Sequence, residues 1–251
     1  MKNFRPRLRL APRRGVAGFT LIELLTVIAV IGILTAILLP TTSSARTAAK
    51  KAKTRGQFAQ WSAAIEGFRQ EYGGYPTFET SGAGLNKVNG NTAGAANVTA
   101  THRFYETLVG SRRDGTALPT STAATTPASP QVQNARRIQF ITFTEADMVP
   151  LTTTDAALLT KRGLIRDAFD TTDIAVLVDR NLDGSIKFGG TGGDSIASLP
   201  LVSPPDNTAI RLAPNTTDFP AAAQGGVRAG VLFYSLPPQA TANTDFIFSW
   251  K

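Results

Sequence analysis

Between Phe19 and Leu39 the chain runs through 21 residues that contain no lysine or arginine and a single acid, Glu23. As an α-helix rising about 1.5 Å per residue, this stretch would be roughly 31 Å long, close to a bilayer core of about 30 Å. A run so long and so apolar has to be covered by lipid or by other helices, and that limits what the chain can fold into. A basic leader precedes it, with Lys2, Arg5, Arg7, Arg9, Arg13 and Arg14, and Gly18 stands at the junction. A cleavable secretory signal has an apolar core of only about 7 to 15 residues, followed by a small-residue cleavage site. Here the small residue comes before the run. An ordinary anchor leaves Glu23 unexplained, because an ionised group in hydrocarbon costs a few kcal/mol and normally has a partner. A cut after Gly18 would supply that partner. Phe19 would carry a new amine, and Glu23 lies about 6 Å further along the helix axis. In a bundle of such helices, the carboxylate of one chain would neutralise the amine of a neighbour displaced by that rise.

The basic leader, Gly18 and the sequence FTLIELLTVIAVIGILTAILLP together resemble the prepilin signal of type IV pilins and type II secretion pseudopilins. The resemblance covers residues 13 to 45. It implies cleavage after Gly18 by a prepilin peptidase, N-methylation of Phe19 by the same enzyme, and a docking role for Glu23 in helical filament assembly. It also implies that Gly32 and Pro40 loosen the helix. The expected partners are the peptidase and methyltransferase, further copies of the chain, other pilins and pseudopilins, and an inner-membrane assembly platform. The expected location is the bacterial inner membrane, single-pass, with a cytoplasmic N-terminus and a periplasmic C-terminal domain. In the filament, the chain would be periplasmic or at the cell surface. The basic residues decide nothing about orientation, since Arg46, Lys50, Lys51, Lys53 and Arg55 follow the span much as the leader cations precede it.

The formal net charge of +8 suggests an anionic partner until its distribution is considered. All six leader cations lie within residues 1 to 18, which contain no acid. Removing them leaves 20 basic residues against 18 acids, a net charge of +2, so no nucleic-acid binding is expected of the mature chain. Absence of cysteine excludes disulfides, thiol catalysis and cysteine metal clusters, and leans toward the pseudopilin side of the resemblance. The single histidine, His102, has no G-x-S-x-G motif to accompany it and reads as a surface or capping residue. No catalytic constellation assembles, so an enzyme is not expected.

From Thr41 to Tyr72 the helical pattern continues, with Phe58, Trp61, Ile65, Phe68 and Tyr72 spaced to form one stripe. Gly73-Gly74 ends the helix, and Tyr75-Pro76 begins an extended segment. The pattern therefore divides the chain into a leader (1–18), a transmembrane helix (19–39), an amphipathic half-helix (40–74) and a β-rich globular region (75–251). Within that last region, 79–101 reads as a loop, 103–109 as a short helix and 114–133 as a mobile, exposed tract. Strands are expected in 136–143, 172–179, 185–188, 209–212, 230–236 and 244–250. The resulting fold class is α+β, a long N-terminal helix packed on a small antiparallel sheet, and the arrangement resembles the pilin architecture.

One further pattern has chemical content. Asp179, Asn181, Asp183 and Gly184 reproduce the first half of a D-x-N-x-D-G-x-I calcium loop, whose alternating oxygens suit a hard cation. The twelfth position is Gly190 where a bidentate Glu would stand, and a β-turn accounts for the same residues. Asp173 or Asp194 would have to complete a calcium shell. The function expected from these features is a structural filament subunit of the secretion pseudopilus or type IV pilus kind. The alternatives are a single-pass anchored binding module outside the membrane and, more remotely, an anchored hydrolase.

Overall fold

The computed structural model describes residues 18–78, 86–90, 101–119, 129–155, 158–189, 194, 196, 198–206, 208–238, 240–242 and 245–251, without the side chains of 37–42. The chain forms two compact units, Met1–Thr47 and Ala48–Lys251. One helix, α1 (Leu21–Tyr72), supplies the described regular structure of the first unit and the opening element of the second. It runs unbroken through Gly32 and Pro40. Gly73 ends it in the left-handed conformation with φ 78°, and its N–H donates to the Arg69 carbonyl at 2.8 Å.

In the second unit, the predicted stripe is buried except at its last member, Tyr72, which is half-buried and packs against the same core. Phe58, Trp61, Ile65 and Phe68 are each at most 3% exposed. Trp61 lies at the centre of an aromatic cluster, with ring centroids 5.5 Å from Phe233, 5.6 Å from Phe58 and 5.9 Å from Phe104. The stripe packs on a three-stranded antiparallel sheet made of β1 (Ala175–Val178), β2 (Val231–Ser235) and β3 (Ile247–Phe248), in that order. Register pairs Val176 with Phe233 and Tyr234 with Phe248. The period-2 alternation of strands sends Val176, Val178, Val231, Phe233 and Ile247 to the helix side. Ala175, Leu177, Leu232, Tyr234 and Phe248 join a second core with Ile186, Val202 and Phe219. Because both faces are covered, β1 and β2 are buried at every position rather than at alternate ones.

The short helix α2 (Arg103–Val109) forms where the pattern placed it. Gly110 closes it with φ 76°, and a Cβ there would stand 2.6 Å from the main chain of Arg137. The tract 114–133 is not exposed throughout, since Leu118 is buried and Pro130–Gln133 forms a helical turn, α3, with Pro130 buried. The segment 120–128 lies outside the described residues.

Several expected strands take another form. Residues 136–143 form no strand. Arg137 adopts φ 55°, and buried Asn134 captures the Ile138 N–H at 2.8 Å and donates to the Ile138 carbonyl at 2.7 Å, so both backbone groups of Ile138 are satisfied without a ladder. Phe140 instead packs its ring on Phe68, with centroids 5.5 Å apart. Residues 185–188 and 209–212 are reduced to isolated bridges, Ile186 with Val227, Phe188 with Ile196 and Val202 with Leu212. The final strand is two residues long.

Candidate functional site

Leu21 opens α1, and the residue before it caps the helix. Thr20 accepts the Glu23 N–H on Oγ1 at 3.3 Å. In return, Glu23 Oε2 accepts the Thr20 N–H at 2.8 Å and the Thr20 hydroxyl at 2.7 Å. This is a reciprocal capping box, T-L-I-E, and it satisfies main-chain donors that a helix start leaves unpaired. The same four letters were visible in the sequence as the S/T-x-x-E signature ahead of an apolar run. Thr20 is therefore the residue that reasoning from the apolar run alone overlooks.

Around the cap, the apolar side chains stand open. Phe19 and Leu21 are each 81% exposed, and Leu24, Leu25, Ile28, Ile31 and Leu34 are exposed as well. The polar side chains of this stretch bond within their own helix. Thr26 Oγ1 donates to the Glu23 carbonyl at 3.0 Å, and Thr35 Oγ1 donates to the Ile31 carbonyl at 2.7 Å. No hydroxyl among Thr20, Thr26 and Thr35 therefore needs a partner outside its own helix. Gly18 and Gly32 have open space where a Cβ would be. Pro40 lies within α1, and its side chain is outside the described residues. Among the described residues, no helix is long and apolar enough to cross a membrane. Those residues take the apolar run from Phe19 to Ala36, and residues 37 to 42 are not described beyond their helical backbone.

The 179–186 segment forms a compact turn. Asp179 accepts the N–H groups of Asp183 at 3.3 Å and Gly184 at 2.8 Å. Asn181 Oδ1 accepts the Asp183 N–H, while Asp183 Oδ1 accepts the N–H and hydroxyl of Ser185 at 2.9 and 2.8 Å. Asp194 folds onto the loop and accepts from Arg180 N at 3.0 Å and Lys187 N at 2.8 Å. The Lys187 ammonium stands 2.5 Å from Asp183 Oδ2, where it supplies the counter-charge. Its hydrogen bond and that of Ser185 hold the Asp183 carboxyl down to about 2. Partial burial pushes Asp179 up, with the Asp194 and Asp183 charges adding to it against the loop amides. Among the described residues, no three acidic, His or Cys side chains gather as a metal would need. Asp173 is engaged elsewhere, with Lys87 and Ser203. As arranged, the oxygens serve amides and an ammonium, and the geometry is that of the turn; Gly190 lies outside the described residues.

His102 is a capping residue, as expected, but it is not on the surface. It is 1% exposed, and its Nδ1 accepts the Tyr105 N–H at 3.3 Å as the N-cap of α2. Its Nε2 is 2.9 Å from Asn89 Oδ1. Asn89 Nδ2 in turn donates to the carbonyls of Ile165 and Thr172. Burial, and then the Arg113 charge, push the imidazole down to about 3, so it is neutral at physiological pH and closes a structural junction.

Residues 13–39 match the family described as the prokaryotic N-terminal methylation motif. The chain carries a prepilin-type signal. No curated protein and no solved structure matches it. The motif supports a type IV pilin-like protein processed by prepilin peptidase, and it indicates a structural subunit. Within the matched stretch lie Gly18, Phe19, Glu23 and Gly32, so this signal contains the capped helix start and the open apolar surface that follows it.

Proposed function

We propose that this chain is a structural subunit of a type II secretion pseudopilus or type IV pilus-like filament. Cleavage after Gly18 leaves Phe19 as the N-methylated terminus. The Phe19–Leu39 helix holds the subunit in the inner membrane until an assembly platform draws it into a fibre whose core is built from the same helices. The observation that carries this reading is the pairing of an unpartnered apolar helix surface over residues 19 to 36 with one acid, Glu23, in the first turn of α1. The internally bonded hydroxyls of Thr20, Thr26 and Thr35 support it, since a polar group in hydrocarbon must find its partner within the protein. Glu23 acts as a registry charge: its carboxylate exchanges the Thr20 donors for the amine of a neighbouring Phe19. A buried charge in such a place contributes specificity more than stability.

Two measurements test the reading. Mass spectrometry of the mature chain should find N-methyl-Phe19 at the terminus. A retained leader, or cleavage elsewhere, overturns the filament assignment and leaves a membrane-anchored binding module. Glu23→Ala should preserve cleavage but abolish or mis-register the fibres, and filaments of normal yield and register in that variant would remove the docking role.

A further inference from the structure

A cleft of about 280 Å³ opens in the second unit, on the side of the residues leading into β1. Three short segments build it. Lys161 ends the 3-10 turn Leu159–Lys161, Thr172 and Asp173 precede β1, and Ser203, Pro204, Pro205, Thr208 and Arg211 of one loop close the rim. That loop is held at its base by two main-chain hydrogen bonds between Val202 and Leu212, of 2.8 and 3.0 Å. Ser203 and Arg211 are consequently brought to opposite sides of one bridge. The loop is also tied inward, because the Ser203 N–H donates to Asp173 Oδ2 at 3.0 Å. Pro204 and Pro205 form a wall with little conformational freedom to lose on binding.

The charge of this cleft is decided by what Asp173 already holds. Its other oxygen, Oδ1, is 2.5 Å from the Lys87 ammonium. The carboxylate is thus matched by a cation before either cleft cation is considered. Lys161 reaches only the Pro205 carbonyl, at 3.4 Å, and among the described residues neither Lys161 nor Arg211 forms an ion pair. Asp206, next along the loop, is exposed and does not line the cleft. Two cationic side chains therefore face one small concavity whose only acid is neutralised, with the hydroxyl-bearing Thr172 and Thr208 beside them.

We propose that this cleft binds a compact oxyanion, a phosphate group either free or borne on a small organic alcohol. The Arg211 guanidinium offers the forked pair of donors that phosphate oxygens match, and Lys161 supplies the second charge from the opposite segment. The volume admits a phosphate with a few further atoms. This site is independent of the filament reading and uses no residue of the prepilin signal.

The test is titration of the full chain in neutral detergent micelles at low ionic strength. Inorganic phosphate forms one arm and glycerol 3-phosphate the other, each followed by calorimetry. Saturable one-to-one binding is expected, weakened at least about tenfold in both Arg211→Ala and Lys161→Ala and left unchanged in Arg55→Ala, a cation on α1 outside the cleft. Tighter binding of glycerol 3-phosphate identifies an esterified phosphate as the ligand, and equal binding identifies the free ion. Circular dichroism of the variants confirms that a loss is not unfolding. Absence of saturable binding in the wild-type chain, or binding that survives both substitutions, overturns the proposal.

Discussion

The Glu23 carboxylate accepts both the main-chain N–H and the hydroxyl of Thr20, so the acid expected to meet a neighbouring chain is already engaged by its own helix start. On the proposed filament reading, assembly is an exchange of partners in which the carboxylate is never bare. Thr20→Val removes the hydroxyl while keeping the bulk, and should loosen the first turn by about 1 kcal/mol, whereas Thr20→Ser should not. Amide exchange at Leu21 to Leu24 in micelles is the measurement. Equal protection in Thr20→Val and wild type would show that the cap contributes nothing.

Trp61 anchors the second unit. It is 2% exposed and touches the rings of Phe58, Phe104, Phe143 and Phe233. Truncation to alanine leaves a cavity walled by stiff aromatic neighbours that cannot collapse into it. A loss of about 3 to 5 kcal/mol is expected in urea unfolding, against less than about 0.5 kcal/mol for the exposed Arg55→Ala. A Trp61→Ala loss below about 1 kcal/mol would mean that the helix stripe is not the core of this unit.

The helix stripe was legible in the sequence because its spacing, Phe58, Trp61, Ile65 and Phe68, is a property of local residues. So were β1 and β2, whose apolar runs are long enough to be strands and too short for helices. The segment 136–143 was not legible. Its apolar residues are half-buried except for the buried Phe143, Asn134 takes both backbone groups of Ile138, and no periodicity reports a side-chain hydrogen bond made across four residues. His102 was half legible. Its position ahead of R-F-Y-E-T-L-V gave the cap, while its burial depends on Asn89, which is distant in sequence and sits in a loop without pattern. The cleft cations Lys161 and Arg211 left no local signal at all, since their neighbourhood is made by the Val202–Leu212 bridge.

The 179–186 loop separates two mechanisms through one variant. As a turn, it loses the Ser185 and Lys187 contacts of Asp183 in Asp183→Ala, and should be destabilised by about 1 to 2 kcal/mol with or without calcium. A calcium loop would instead show wild type stabilised by millimolar calcium and the variant unaffected. We expect no calcium-dependent shift in the melting temperature of either chain. A rise in wild type that vanishes in Asp183→Ala would establish a calcium site in this loop.

His102 and Asp167 change stability with pH in opposite directions. Asp167 is buried beneath β2, where it accepts the N–H groups of Phe169 and Thr171 and the hydroxyl of Ser235 at 2.8, 3.0 and 2.8 Å. Burial nevertheless dominates and pushes its carboxyl from 3.8 up to about 6. A raised folded value means that its contribution to stability is complete below the unfolded value of 3.8 and is lost as pH rises through about 6. His102 runs the other way. Its folded value is depressed from 6.5 to about 3, so its contribution is present above 6.5 and is lost as pH falls toward 3. Between about pH 4 and 6, each group changes stability by on the order of 3 kcal/mol, the two in opposite directions. Asp167→Asn removes the acid's share, so that variant should gain relative to wild type as pH rises from 4 to 7. His102→Asn keeps a side chain able to cap α2 and removes the imidazole's share, so it should gain relative to wild type as pH falls over the same range. Urea midpoints at pH 4, 5, 6 and 7 read both trends. Parallel profiles for wild type and either variant would show that the corresponding group does not titrate differently in the folded and unfolded chains.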